Sequence, residues 1–465
     1  MSKVDNSRLA VVVLAAGMGK RMKSGLPKVL HQICGCTLLE YVLEAVDPLG
    51  AGSVTVVVGT GSDDVVGTIG DGFRIVHQAE QKGTGHAVMV ALKGLDPSFD
   101  EVMVLPGDAP LITTATLERL VAERREHNAA ASLLTAVLDD PSGYGRVVRF
   151  ENWHVEAIIE EVDATEEQRG ITEVAACTYS FDRAALEAGL STLTTDNAQG
   201  EYYLTDVIGG FTAGGQHVVP FCGEPEEVMG VNDREQLAEV CRIMRARVNS
   251  RLMAAGVAMI DPATTYVDHD VEIGAETLLM PMTFIGGKSA IGKRCRIGPC
   301  TSIHDTTVAD GCEVQFSVVD GCEISEDANI GPFSRLRPGC RLGPGSKAGT
   351  FVEMKKTTVG RGSKVPHLSY MGDTTIGEDA NVGAGSITCN YDGENKFPTT
   401  IGDRAFIGSD TMMVAPLNIG NDAVTGAGSV ISEDVPDGSL AIERTEQRIV
   451  PGYRDRKKGN KRKDK

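Results

Sequence analysis

The sequence predicts two folds in series: a Rossmann-like α/β domain, then a parallel β-helix built on six-residue repeats. Three observations predict it. Short, continuous apolar runs alternate with helix-like stretches as far as about residue 232. Beyond about residue 267, aliphatic residues recur at every sixth position. Glycine is abundant, 54 of 465 residues, while aromatics make up only 5%, which suits many turns around a narrow interior.

Leu9 to Leu14 is an unbroken apolar run, short enough for a strand buried on both faces. Thr37 to Val46 has helical spacing and stops before Pro48. Val54 to Gly59, Phe73 to His77 and Glu101 to Leu105 read as further buried strands. A helical stretch, His86 to Leu95, separates the last two, and Thr113 to Asn128 reads as a charged amphipathic helix. This β-α-β rhythm implies a parallel sheet with helices on both faces. Asp233 to Ala255 then reads as one long connecting helix.

Ile273, Leu279, Ile285, Ile291, Ile297 and Ile303 step by six, and the first five are each followed four positions later by a small residue: Thr277, Thr283, Ser289, Cys295 and Thr301. The register resumes at Ile324, Ile330, Leu336 and Leu342, at Ile376, Val382 and Thr388, and at Ile401, Ile407, Met413, Ile419, Thr425 and Ile431. Such a period stacks one aliphatic inside each flat face of a coil, with small residues at the corners. The breaks near Lys347–Val359 and Cys389–Thr399 are read as loops thrown out of the coil, where function usually sits. The expected domains are 1–232, a linker helix over 233–255, the β-helix over 256–450, and a basic, disordered tail over 451–465.

Composition excludes some functions. Lys and Arg total 45 against 64 Asp and Glu, a formal charge of −19, which is unsuited to sequence-independent nucleic-acid binding. No apolar run reaches the ~18 residues of a spanning helix, and the polar N-terminus does not read as a signal peptide. Eleven cysteines without paired spacing read as buried free thiols in a reducing cytoplasm.

Directly after the first strand comes Leu14-Ala15-Ala16-Gly17-Met18-Gly19-Lys20-Arg21-Met22, then Pro27-Lys28. Gly and Ala let backbone N–H groups approach a polyphosphate, and Arg21 and Lys28 add cations. The full pattern resembles the sugar-phosphate nucleotidyltransferases. Gln78 to Ala87 resembles that family's base-recognition loop. Gly107-Asp108 stands at a strand's carboxyl end, where ligands of open α/β sheets bind. Gly143-Tyr144-Gly145-Arg146, Glu160 and Gly230-Val231-Asn232 complete the set. An acid at a strand end also serves as a helix cap; the phosphate turn upstream favours metal ligation by Asp108. The resemblance implies UTP or UDP-sugar contacts from Leu14, Ala15, Ala16, Gly17, Arg21, Lys28, Gln78, Gly83, Thr84, Asp108, Gly145, Glu160 and Asn232. It also implies Mg2+ on Asp108 and Asn232.

Polar residues crowd the β-helix where its register fails: Arg337, Glu353-Met354-Lys355-Lys356 and His367-Leu368-Ser369-Tyr370, then Asn381, Thr388 to Gly393 and Lys396. A lone histidine is more often structural; His367, beside Tyr370 and a lysine cluster, is read as functional. The second half resembles the left-handed β-helix acyltransferases, which work as trimers. From about Leu9 to Arg444 the chain resembles the bifunctional N-acetylglucosamine-1-phosphate uridylyltransferase / glucosamine-1-phosphate N-acetyltransferases. The strings Asn197 to Tyr203, Phe351 to Lys356 and Ile387 to Gly393 carry that resemblance most strongly.

The resemblance implies glucosamine-1-phosphate on Arg337, Lys355, Tyr370, Asn381 and Lys396, with His367 as general base. It places acetyl-CoA against Ala384, Asn390, Tyr391, Ser409, Ala427 and Arg444. It further implies a cytoplasmic homotrimer acting on small molecules, with no integral membrane association. An amine that arrives as an ammonium needs a base, and imidazole is matched to neutral pH. Two positions depart from the family: its sugar-contacting Asn is Ala175 here, and the Lys two residues after Glu160 is Val162. Two alternatives remain at this stage: a single-activity pyrophosphorylase whose β-helix serves assembly, and a non-catalytic regulatory subunit.

Overall fold

The computed structural model describes residues 5–17, 19–60, 63–150 and 154–454, and the chain divides into two units, Met1–Arg247 and Val248–Lys465. Met18 of the glycine-rich turn and residues 455–465 of the expected tail lie outside the described residues.

In the first unit, β1 (Leu9–Ala15), β2 (Ser53–Val58), β3 (Arg74–His77) and β4 (Glu101–Pro106) form a parallel sheet in the order β3-β2-β1-β4. Helices Leu38–Val46, Asp63–Ile69 and Thr84–Leu92 connect these strands. The first begins with a capping box: Thr37 accepts from the Glu40 N–H while the Glu40 carboxylate accepts from the Thr37 N–H. Helix Thr114–Glu126 follows β4. Its Arg124 and Arg125 both pair with Glu101 at the start of β4.

The expectation of an all-parallel sheet is corrected beyond β4. The chain continues through β5 (Ala131–Val137) and a hairpin of β6 (Gly145–Phe150) and β7 (His154–Ile159), then returns as β8 (Glu173–Asp182). β8 lies between β4 and β5, antiparallel to both, and β6 pairs antiparallel with it. β9 (Val218–Cys222) joins β5 in parallel at the edge. The cause is connectivity: a hairpin, not a crossover helix, precedes β8, so the strand re-enters reversed. Between Ala175 and Tyr179 β8 slips register, and Cys177 adopts φ +53° there. That bulge turns one stretch of the strand toward the ligand end of the sheet.

The long helix Arg234–Ala254 serves both units. Val240, Ile243 and Met244 pack with Met22, Leu38 and Leu111 of the first. Val248 and Leu252 belong to the core of the second.

The second unit is a parallel β-helix of three sheets, with 11, 10 and 9 strands, each sheet taking every third strand until the last coil. The hexad aliphatics form its interior column; Leu279, Ile297 and Ile330 are fully buried. The small residues before the aliphatics also point inward, and their hydroxyls bond the backbone, as Thr277 Oγ1 to Gly292 O and Thr283 Oγ1 to Met280 O, each 2.7 Å. Aromatics stand outside: Phe284, Phe316, Phe333, Phe351 and Phe406 are exposed.

One of the two expected loops is corrected. Lys347–Thr350, Glu353–Lys355 and Thr358–Val359 are coil strands, and Ala348 and Met354 hold the interior column at 0% exposure. Alanine and unbranched methionine fill the inward positions, so the aliphatic signature lapses while the coil runs on. Val359 follows Met354 through a corner one residue short, as Val308, Val319 and Ile324 do earlier. The second break is a real excursion: the chain leaves the coil after Cys389 and makes a hairpin bridged between Tyr391 and Lys396.

None of the eleven cysteines is in a disulfide, but burial is corrected: Cys295, Cys312, Cys322 and Cys340 are buried, while Cys222 and Cys300 are exposed. Among the described residues no helix is long and apolar enough to cross a membrane.

Two candidate active sites

At the carboxyl end of the first sheet, β1 and β4 lie side by side with Leu14 in register with Pro106, and the Gly107 N–H donates to Leu14 O at 2.9 Å. The turn after β1 and Asp108 after β4 are therefore neighbours at the point where strand order reverses. The Val231 N–H donates to Asp108 O at 3.0 Å and brings Asn232 alongside. Lys28 is ion-paired with Asp108, and its Nζ donates to Asn232 Oδ1 at 3.1 Å. Glycine is needed at residue 19 for two reasons: φ is +59°, and a Cβ would meet Lys28 Cβ at 2.8 Å. Gly17, by contrast, borders open space.

A cavity of about 220 Å³ opens beside this cluster, lined by Thr84, Asp108, Tyr144, Gly145, Glu160 and Asn232. Its far wall is the bulged part of β8, from Ala175 to Cys177, with Tyr179 and Leu204. Glu160 accepts from Thr205 Oγ1 at 3.0 Å. Burial holds its carboxyl above the usual carboxylate range; the Thr205 bond opposes this, and Asp206, Asp163 and Glu201 add to it. Gly145 passes under Ile158, whose Cγ2 a Cβ would meet at 2.9 Å.

The segment ending at Tyr203 pins the other rim: Gly85 N–H bonds Tyr202 O, Tyr202 N–H bonds Lys82 O, and Leu204 N–H bonds Thr84 Oγ1. Gln78 is buried, and its amide nitrogen is engaged by Gly83 O and His86 Nδ1, so it shapes the loop from within. Gln81 donates to Ala16 O, tying that loop to the phosphate turn. Arg21 is exposed and outside the cavity's lining. Val162 is exposed and away from the lining, whereas Ala175 is part of it. Sequence reasoning missed Cys177 and Tyr179, on a strand whose register slip has no sequence signature, and Leu204 and Thr205, at the start of helix Thr205–Ala213.

The residues fit a hard divalent cation. Two oxygen donors, Asp108 and Asn232, converge on one positive charge, the Lys28 ammonium. Among the described residues no three His, Cys, Asp or Glu side chains cluster as metal ligands. A cation there is one that takes few protein oxygens and keeps water and phosphate ligands, which is the habit of Mg2+.

In the second unit, Arg335, Glu353, Tyr370 and Ile387 stack in register on one face, with Lys355 beside Gly372. Arg337 Nη1 donates to Glu353 Oε1 at 3.2 Å. Lys396, returned by the hairpin, lies against Lys355. That contact, burial and Arg337 hold the Lys355 ammonium below its usual range, with Asp373 opposing. Three cations so gathered make a seat for an anion such as phosphate. Asn390 is buried and donates to Asp373 Oδ2 at 2.6 Å. A Cβ on Gly372 would lie 2.6 Å from both Asn390 Nδ2 and the Tyr370 hydroxyl, so these polar groups close over a residue that only glycine can supply. Tyr391 is exposed, its hydroxyl bonded to Gly393 O within the hairpin.

His367 ends the strand Lys364–His367 at a corner. Its carbonyl accepts from Ser369 Oγ at 2.7 Å and Gly385 N–H at 3.2 Å, while its exposed imidazole has no hydrogen-bond partner among the described residues. Asp410 N–H bonds Ala384 O at 2.7 Å, and Gly428 N–H bonds Ser409 O at 2.8 Å. Ala384, Ser409 and Ala427 thus climb a single edge in successive coils above His367. Arg444 is exposed just past Glu443, whose N–H bonds Ser429 Oγ at 3.2 Å. One expected residue stands apart: Asn381 is in register with Lys364 and Phe406, on the sheet of the His367 strand and not on the Lys355–Tyr370 face.

Residues 11–183 match the family model of the MobA-like NTP transferase domain, and residues 398–433 match that of the hexapeptide repeat of succinyl-transferase. Similar curated proteins span nearly the whole chain. The bifunctional protein GlmU of Heliobacterium modesticaldum is 48% identical over 447 residues, 96% of this chain and 98% of the relative. That of Caldanaerobacter subterraneus subsp. tengcongensis is 46% identical over 445 residues, 96% of this chain and 97% of the relative. That of Mycolicibacterium gilvum is 47% identical over 465 residues, 97% of this chain and 93% of the relative.

Proposed function

The chain belongs to the GlmU family of bifunctional proteins, and on that premise we propose that it makes UDP-N-acetylglucosamine in two steps. It is an enzyme with a nucleotidyltransferase in its first unit and an acetyltransferase in its left-handed β-helix. The single observation that carries the two-step reading is that each unit holds its own cationic site: Lys28 with Asp108 and Asn232 in one, and the cluster of Arg337, Lys355 and Lys396 with Tyr370 and Asn390 in the other. A β-helix used only for assembly needs no such cluster.

In the acetyl-transfer step, Arg337, Lys355 and Lys396 hold the phosphate of glucosamine-1-phosphate, and Tyr370 and Asn390 orient the sugar. The substrate ammonium gives its proton to His367, and the freed amine attacks the thioester carbonyl of acetyl-CoA. The C–N bond forms, the C–S bond breaks, and coenzyme A leaves as the thiol. Within the Gly383–Gly385 corner, the Gly383 and Gly385 N–H groups are taken by Ile407 O and His367 O. The Ala384 N–H is left to meet the oxyanion. The small-residue edge of Ala384, Ser409 and Ala427 admits the extended coenzyme, with Arg444 and Tyr391 at its ends.

In the uridylyl step, a phosphate oxygen of N-acetylglucosamine-1-phosphate attacks the α-phosphorus of UTP, and pyrophosphate leaves. The turn from Leu14 to Gly17 presents N–H groups to the phosphates, Arg21 and Lys28 neutralise them, and Gln78, Gly83 and Thr84 frame the base. Glu160 and Gly145 meet the sugar. When bound on Asp108 and Asn232, Mg2+ supplies further charge neutralisation.

We propose a cytoplasmic location, which eleven cysteines outside any disulfide support. We also propose a homotrimer. Met282, Phe316, Phe333, Phe351 and Leu368 form an exposed apolar column along one corner, all with φ between +46° and +60°. Bulky side chains in that region cost roughly 1 kcal/mol each, and exposed apolar patches mark contact surfaces. A neighbouring copy would also join the face carrying Asn381 to the face carrying Lys355.

The test is a coupled assay with glucosamine-1-phosphate, acetyl-CoA, UTP and Mg2+, read for both thiol and pyrophosphate. Release of only one product removes the bifunctional assignment.

A further inference from the structure

The two oxygen donors that flank Lys28 are held in different ways. Asp108 follows directly on β4, whereas Asn232 lies in the short connection that enters the long helix Arg234–Ala254. A residue in a connection needs some other means of holding its side chain still. Asn232 nonetheless lines the cavity, with its Oδ1 3.1 Å from the Lys28 Nζ, which is itself paired with Asp108.

Two neighbours grip the backbone here. The Val231 N–H donates to Asp108 O at 3.0 Å, and the Asn232 N–H donates to Gln236 Oε1 at 2.7 Å. Gln236 is fixed in turn: its N–H donates to Asp233 Oδ1 at 2.9 Å, and the Leu237 N–H donates to Asp233 O at 3.1 Å. Asp233 is therefore the helix N-cap, and Gln236 is the third residue after it. In an ordinary capping box the side chain at that position accepts from the N–H of the cap itself. Here Gln236 reaches one residue further back, so its bond falls on the residue that faces Lys28. Val240, one turn on, is fully buried and anchors the turn that carries Gln236.

We propose that Gln236 is a positioning residue for uridylyl transfer: its side chain fixes the Asn232 backbone so that Asn232 Oδ1 stays beside Lys28 and Asp108, where a divalent cation would be held. The inference rests on the placement of uridylyl transfer and its cation at this cavity. Gln236 does not line the cavity, so it acts only through Asn232. Groups in such an outer position orient a ligand oxygen, and their loss weakens metal binding about 10–100-fold.

The experiment is Gln236→Ala in the full chain, titrated with Mg2+ in two ways. One follows pyrophosphate release from UTP and N-acetylglucosamine-1-phosphate. The other, without turnover, follows the Mg2+-dependent rise in melting temperature with UDP-N-acetylglucosamine bound. Both midpoints should move about tenfold higher, with kcat at saturating Mg2+ within about twofold of wild type. Gln236→Glu keeps an acceptor oxygen at the same reach and should bring both midpoints back to within about twofold of wild type. On an Asn232→Ala background, Gln236→Ala should add less than about twofold, because the residue it serves is gone. Unchanged midpoints in Gln236→Ala overturn the proposal even if the melting temperature falls, since the bond then only caps the helix. A shift that Gln236→Glu does not reverse, or that persists in full on the Asn232→Ala background, overturns it too. If Gln236→Ala does not fold, Gln236→Met, which keeps the length and drops the acceptor, carries the same comparison. Absence of pyrophosphate release by the wild type removes the uridylyl assignment, and release independent of Mg2+ removes the cation from this pair. An Mg2+-dependent wild type with an unaffected variant removes only Gln236.

Discussion

His367 and Glu160 illustrate two ways in which a residue can be readied for chemistry. His367 is exposed, at a corner, with a ring that nothing in the described chain engages. Loss of a general base typically lowers a rate by about 10²–10⁴-fold. His367→Ala should therefore slow acetyl transfer by that order with an unchanged melting temperature, and higher pH should partly restore it by deprotonating the amine. Near wild-type turnover would leave His367 a structural residue. Glu160 is readied by burial, which raises its carboxyl above the ordinary value of 4.5. A raised carboxyl favours the folded state while protonated, and that contribution fades as pH climbs through the folded pKa. For function the sign reverses, since only the carboxylate accepts two hydroxyl donors. KM for the sugar phosphate should climb on acidification at a higher pH than that at which an ordinary glutamate protonates. Glu160→Gln should remove that acid limb while raising KM across the range; an acid limb unchanged in the variant would assign it to another group.

At the scale of elements, the hairpin after Cys389 turns a repeating prism into a site. It delivers Lys396 onto Lys355 and lets Asn390 reach Asp373 on the preceding coil. The coil itself does not depend on it, because Thr388 and Ile401 remain in the interior column on either side. Replacing residues 390–396 with a short glycine-containing corner should leave the β-sheet circular dichroism spectrum and uridylyl transfer intact and abolish acetyl transfer. Retention of acetyl transfer would show that the anion seat lies elsewhere. β8 plays the corresponding part in the first unit, where its bulge supplies one wall of the cavity beside Asp108.

At the scale of the whole molecule, the apolar corner column bears on assembly. Phe333 is stacked with Phe351, centroids 5.2 Å apart, and is more than half exposed. Phe333→Glu would put a charge in the middle of that column and remove little from the interior of its own chain. Sedimentation should show the trimer converted to a monomer, with acetyl transfer lost and uridylyl transfer kept. A trimer that survives the change, or a monomeric wild type at micromolar concentration, would move the interface to another face.

The sequence by itself determined the repeat architecture, the scarcity of interior aromatics and the phosphate turn. Each follows from local rules: a fixed hexad period, side-chain size at a narrow axis, and glycine where a backbone must approach Lys28 closely. It misread Lys347–Val359 as a loop, since Ala348 and Met354 fill inward positions without looking like the column they continue. It could not show the reversal of β8 or the bulge at Cys177. Nor could it show that Asn381 lies off the face of Lys355. Only the tertiary structure decided these, because strand direction, register slips and the face on which a coil residue emerges depend on pairings between segments far apart in the chain.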